Sequence, residues 1–276
     1  MDAGVQPLPE TSALLLRMCT KARQYNCAAA AGDAILQHAD FQPNPIVVTS
    51  ILQAYEVAGS WDRTKKVFGE MQLRGEGLDR VAYNVMISAS GKRGEVDYAE
   101  QLFRDMQQMG LPLEADTFNA LIFTCAKAKR IDLALGYLED MADCEVRADI
   151  ITFNTLLDAC SKCGKWDVAP ELYARLQALG LKEDAVTYTT LIIGNSRHGR
   201  SVEALAVFDS LVESGFPLTV HVCSAAITAC EQAGRWERAL AIFEAMEEAA
   251  VRPTSFIYNC LLSALENSGK SDVALR

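Results

Sequence analysis

The sequence predicts an all-α fold, a solenoid of helix-turn-helix repeats, and three observations carry that prediction. The first is self-similarity. The stretches YNVMISASGKRGEVDYAEQLFRDM, FNALIFTCAKAKRIDLALGYLEDM and FNTLLDACSKCGKWDVAPELYARL open at Tyr83, Phe118 and Phe153, each 35 residues after the last, and such a fixed period signals a repeat architecture. The same step reaches Tyr188, Cys223 and Tyr258 going forward and Val48 going backward, with no slip of register. The second is periodicity: Tyr83, Met86 and Ile87, then Tyr98, Leu102, Phe103 and Met106, keep three- and four-residue spacings on two separate helical stretches. The third is punctuation. Gly94 lies between those stretches and recurs as Gly59, Gly164, Gly199, Gly234 and Gly269, a residue able to end a helix in the left-handed conformation.

In this register seven full units open at residues 10, 45, 80, 115, 150, 185 and 220, a partial unit spans 255–276, and residues 1–9 form an N-terminal extension. The partial unit stops inside its second helix and leaves an apolar face uncovered, so further chain is expected in the natural protein. Ala99, Ala134, Ala169, Ala204, Ala239 and Ala274 share one place in the second helix, where a small side chain lets helices approach closely. Trp61, Trp166 and Trp236 share the place just after the inter-helix turn, which reads as a hydrophobic cap on that turn.

Composition narrows the functions available. Half of the residues are hydrophobic and prolines number 8, a folded composition rather than a disordered one. A net charge of −10 opposes general adhesion to polyanions, so any nucleic-acid partner must meet local basic charge. Nine cysteines without framework spacing indicate reduced thiols. Cys160 and Cys163 form a CxxC, but Cys125, Cys160 and Cys230 share one repeat place, which indicates packing rather than metal or redox work. His38, His198 and His221 occupy different places without a Cys, Asp or Glu constellation, and no glycine-rich phosphate loop is present. The expectation is therefore no metal, no cofactor and no catalytic site. The opening MDAGVQPLPE lacks arginines, unlike a transit peptide, and Leu14–Leu16 is too short for a signal core or membrane span.

The stretch VTYTTLIIGNSRHGRSVEALAVFDSLVESG at 186–215 and its companions resemble pentatricopeptide repeats over residues 10–276. The confusable tetratricopeptide repeat has a period of ~34 and a tryptophan-led start; here the start is an aromatic followed by Asn or Thr. The resemblance implies a right-handed superhelix whose first helices line a concave groove, with one base of single-stranded RNA read per repeat. It also implies a mitochondrion or chloroplast setting, with no membrane and no DNA partner.

Such a groove face can be sought in the residues. The second, fifth and thirteenth places of each first helix fall on one side of an α-helix. They hold Val81, Asn84 and Lys92; Asp116, Asn119 and Lys127; Ile151, Asn154 and Lys162; then Val186, Thr189 and Arg197. The aliphatic residues Ile46, Val81, Ile151 and Val186 are candidates for base stacking. Lys92, Lys127, Lys162 and Arg197 are candidates for phosphate contact.

In the family the fifth residue of a unit acts with its last. By that resemblance Asn119 with Asp149, and Asn154 with Asp184, match the uracil-preferring pair, and Thr49 with Asp79 the guanine-preferring pair. Asn84 with Glu114 departs at its second member but suggests a pyrimidine. Thr189 with Thr219 and Ser224 with Thr254 point to purines, Asn259 adds a pyrimidine, and Leu14 with Asn44 matches nothing, so the first unit caps. The implied core is 5′-G-pyrimidine-U-U-purine-purine, with Asp116 and His221 replacing the aliphatic contact at its third and sixth positions. Competing expectations are a protein-binding solenoid or assembly factor, the RNA-positioning arm of a larger enzyme, and protein partners or a C-terminal domain beyond this chain.

Overall fold

The structure, a computed structural model, describes residues 9–37 and 44–270; residues 1–8, His38 and the stretch 271–276 with Ala274 lie outside the described residues. Among the described residues the fold is all-α. Two compact units divide the chain at Arg147 and Ala148. Unit 1 holds α1 (Pro9–Lys21), α2 (Tyr25–Leu36), α3 (Pro45–Val57), α4 (Trp61–Arg74), α5 (Arg80–Arg93), α6 (Val96–Gln108), α7 (Ala115–Lys127) and α8 (Ile131–Asp143). Unit 2 holds α9 (Ile150–Cys163), α10 (Ala169–Ala178), α11 (Ala185–Arg197), α12 (Ser201–Glu213), α13 (Val220–Gln232), α14 (Trp236–Glu248) and α15 (Ser255–Asn267).

Helix boundaries follow from the residues at the ends. Asn44, Asp79, Asp149, Asp184, Thr219 and Thr254 each cap a first helix by accepting a backbone N–H of its first turn. At Asp149 and Asp184 the bond is reciprocated by Thr152 and Thr187, completing a capping box. Gly94 closes α5 at φ 76° and Gly164 closes α9 at φ 77°. In the unit opening at Ala115 the same place falls to Lys129, which is held at φ 61° without glycine's freedom. The unit opening at Ile150 differs in its second helix: Pro170 has no N–H to donate, and the segment begins as a 3₁₀ turn at Trp166–Val168 before α10.

Within each unit the substantial helix contacts join helices that are adjacent or next but one in the chain, such as α5 with α6 and with α7, or α11 with α12 and with α13. The repeating aromatic is buried at Tyr83, Phe118 and Phe153, half-buried at Tyr188 and exposed at Tyr258, and Ala99, Ala134, Ala169, Ala204 and Ala239 are buried. Tyr83 meets Phe68 edge to face at 5.0 Å, and Phe118 meets Phe103 at 5.5 Å. The tryptophans do more than cap a turn. Trp61 Nε1 donates to Glu95 at 2.8 Å and Trp166 Nε1 to Asn195 at 2.8 Å, so each ring also bonds to the following repeat.

α5 and α7 approach each other closely at Gly91. A Cβ on Gly91 would sit 2.3 Å from Thr124 Oγ1 and 2.8 Å from its Cα. That hydroxyl donates to Ala120 O at 2.7 Å and to Ile87 O at 3.1 Å, tying it to both helices. Gly91→Ala is therefore expected to lower stability by about 1–3 kcal/mol through overpacking. An unchanged midpoint in urea denaturation would show that the two helices can part freely.

Candidate nucleic-acid interface

At Thr49 and at Asn154 the fifth place of a first helix bonds to the last residue of its own unit, and that residue also caps the next first helix. In unit 1, Asp79 Oδ1 accepts from Ala82 N at 2.8 Å and from Thr49 Oγ1 at 3.2 Å. In unit 2, Asp184 Oδ1 accepts from Thr187 N at 2.8 Å, Thr187 Oγ1 at 2.9 Å and Asn154 Nδ2 at 3.1 Å. One carboxylate thus begins a helix and also orients the side chain expected to read a base. Burial works to raise the pKa of Asp184, but the bonds from Thr187, Asn154 and Val186 outweigh it and hold the pKa below the ordinary value. The lock on Asn154 is present above the usual carboxylate range and lost only as pH falls beneath it. With Nδ2 engaged, Asn154 Oδ1 is buried and has no partner, an acceptor available to a ligand.

The other pairs differ. Thr189 donates to Ala185 O of its own helix at 2.6 Å, and Thr219 accepts from Val222 N at 3.3 Å. Thr254 accepts from Ile257 N at 3.5 Å. Neither amide atom of Asn84 has a partner, although both are buried. Its expected mate Glu114 lies 3.1 Å from Arg80 Nη2 instead. Arg80 Nη1 also donates to both oxygens of Asp116 at 2.6 Å, so Asp116 stands in an ion pair where an aliphatic contact was expected. Asn119 is half-buried on α7, Ser224 half-buried on α13, and Asn259 exposed on α15.

The candidate stacking residues Ile46, Val81, Ile151 and Val186 are all exposed, at 57%, 41%, 59% and 56%. Phe256, at the same second place of the last unit, is 56% exposed; the register alone could have added it to the set. The four cations are less free than their spacing suggests. Lys92 lies 2.6 Å from Glu56 Oε1 and Lys162 lies 2.5 Å from Asp158 Oδ2. Arg197 donates to Ser161 Oγ at 3.0 Å, and Lys127 sits 5.5 Å from the ring centre of Phe123. Exposed pairs of this kind contribute ~0–1 kcal/mol, so a phosphate can compete for such lysines.

Burial pushes the thiols of Cys125 up to about 12 and of Cys160, Cys223 and Cys230 up to about 11, which leaves them protonated. His198 stacks on Trp166 with ring centres 5.8 Å apart and donates to Ser161 O at 3.0 Å. Among the described residues no group of His, Cys, Asp and Glu is placed to hold a metal ion, and no helix is long and apolar enough to cross a membrane.

The PPR repeat family matches residues 78–127, 114–162 and 148–197, the Pentatricopeptide repeat domain matches 35–93 and 206–268, and the PPR repeat matches 186–216. No curated protein sequence matches significantly. Among solved structures, the maize pentatricopeptide repeat protein PPR10 is similar with a TM-score of 0.55 and 21% identity, over 97% of this chain and 43% of that one. PPR10 in complex with an 18-nt psaJ RNA element gives 0.53 and 19%, over 100% and 54%. Yeast Rmd9p in complex with a 16-nt target RNA gives 0.50 and 16%, over 96% and 57%. The PPR domain of Arabidopsis thaliana protein-only RNase P 1, in complex with tRNA, gives 0.57 and 14%, over 66% and 95%. The chain thus spans about half the length of the maize chain. The matched family segments run without a break from residue 35 to residue 268, and the chain belongs to the pentatricopeptide repeat family.

Proposed function

We propose that this chain binds single-stranded RNA in a sequence-selective way, one nucleotide per repeat, with 5′-G-pyrimidine-U-U-purine-purine as its preferred core. The observation that carries the reading is the pairing of a fifth-place side chain with a last-place carboxylate, at Thr49 with Asp79 and at Asn154 with Asp184. An oriented hydroxyl or amide beside an exposed aliphatic residue offers a base both an edge contact and a flat apolar contact. Asn119 with Asp149 is assigned the same role by register. RNA bound to PPR10 and to Rmd9p supports the reading, as do the cations at four consecutive thirteenth places of an acidic chain.

On this reading the repeats hold RNA and perform no chemistry, and their setting is a mitochondrion or chloroplast. The likeness to the PPR domain of protein-only RNase P 1, bound there to tRNA, favours as second reading an RNA-positioning arm of a larger enzyme. Selection of bound sequences from a randomised RNA pool is expected to return the central U-U. Affinity should fall with salt with a log-log slope of roughly −3, from four phosphates at ~0.7 each, and Lys127→Glu with Lys162→Glu should weaken all sequences alike. A pool that returns no shared sequence, with affinity indifferent to those reversals, would move the weight to a protein-binding groove.

A further inference from the structure

The unit opening at Arg80 breaks the pattern of the units opening at Pro45 and Ile150, and the break has a visible cause. Where the last residue is Asp79 or Asp184, its carboxylate caps the following helix and holds the fifth-place side chain. Glu114 does neither. It gives α7 no side-chain cap bond and lies on Arg80 at 3.1 Å. The guanidinium is fixed from its other side by both oxygens of Asp116 at 2.6 Å, and its side chain is only 23% exposed. In the units that end at Asp79 and Asp184 the first place holds Pro45 and Ile150, neither of which can retain a carboxylate. Asn84 is left with two buried amide atoms and no partner for either.

We propose that Arg80 sets the specificity of its unit by holding Glu114 away from Asn84, so that this unit accepts cytosine and uracil alike. The inference rests on the RNA-binding reading and refines it at one nucleotide. At Asn154 the bond from Nδ2 to Asp184 fixes the amide with Oδ1 presented as an acceptor. Uracil offers an N3–H donor at the centre of its pairing edge, whereas cytosine offers an acceptor there, so a fixed acceptor favours uracil. The amide of Asn84 has no such anchor. Its terminal torsion has two nearly equivalent settings, and it can present Oδ1 to uracil N3–H or an Nδ2 hydrogen to cytosine N3. Arg80 suits the restraining role because its planar fork engages two carboxylates at once, which a lysine's point charge does not.

The test uses synthetic RNAs 5′-GXUUAA with X either U or C, and compares the wild-type chain with Arg80→Ala and with Arg80→Ala/Glu114→Ala. Wild type is expected to bind both RNAs within about twofold, below what one well-made base contact discriminates. In Arg80→Ala, Glu114 is released to orient Asn84, and U should be favoured by about fivefold or more, the lower end of such discrimination. The double variant should return to the wild-type ratio. Arg80→Gln, which keeps the stem but not the charge, is expected to shift the ratio as Arg80→Ala does and serves if the alanine variant melts early. A ratio that stays at the wild-type value in both single variants, or stays raised in the double variant, overturns the inference while leaving RNA binding intact. Absence of wild-type binding to either RNA overturns the RNA reading and this inference with it.

Discussion

Exchanging Asn154 for threonine while Asp184 stays in place is expected to move the base preferred at that one position from uracil towards guanine. Asp184 already receives Asn154 Nδ2 at 3.1 Å, and Asp79 receives the hydroxyl of Thr49 at 3.2 Å in the corresponding place. A threonine at 154 can therefore reach the carboxylate and re-create the second kind of pair without moving the backbone. The cap on α11 is made by the same Asp184 oxygen to Thr187 N, so the helix start survives the exchange. Discrimination between the two bases should change by ~1–3 kcal/mol, as for a good base contact. Affinities for four RNAs differing only at that nucleotide decide it. The same order of preference in wild type and variant, or an equal loss for all four, would reduce Asn154 to a packing residue.

The largest loss of stability should come from Leu156→Ala. Leu156 lies on α9, fully buried, on the helix that packs against α10 and α11. Removing most of a buried leucine costs about 2–5 kcal/mol, with the amount set by how far the site can collapse. Because each repeat rests on its neighbours, amide hydrogen exchange should quicken most in α9 and α11 and fade along α13 and α15. Equal quickening in all of these helices would mean that unit 2 opens as a single block.

The period and the apolar spacing made the fold legible from the sequence because the same helix faces recur every 35 residues. Tyr83, Phe118 and Phe153 share a place and are buried, although Tyr258 at that place near the end of the array is 47% exposed; Ile46, Val81, Ile151 and Val186 share another and are all exposed. The candidate interface was legible to the same extent, as a set of places. What the register could not supply was the competition among side chains within a place. Nothing in the spacing says that Glu114 turns to Arg80, or that Lys92 turns to Glu56, since those outcomes depend on reach, whereas Lys162 with Asp158, four residues apart on α9, follows from helical spacing. The tryptophans illustrate the same gap. Their recurrence marked an apolar role, while the indole N–H found Glu95 in one repeat and Asn195 in another, partners at different repeat places that no alignment of repeats would pair.

Contacts that join only adjacent and next-but-one helices also govern how the chain folds. With the substantial helix contacts of the described residues reaching no farther than the next repeat within either unit, no long loop must close before they form, and topologies of this kind fold quickly. During synthesis α5 finds α3 already present, and α7 then finds α5, so every helix pair can dock as it leaves the ribosome instead of waiting for the C-terminus. The converse holds for unfolding: unit 2 can open one helix pair at a time, and the temperature at which α13 and α15 melt need not be the temperature at which α9 does.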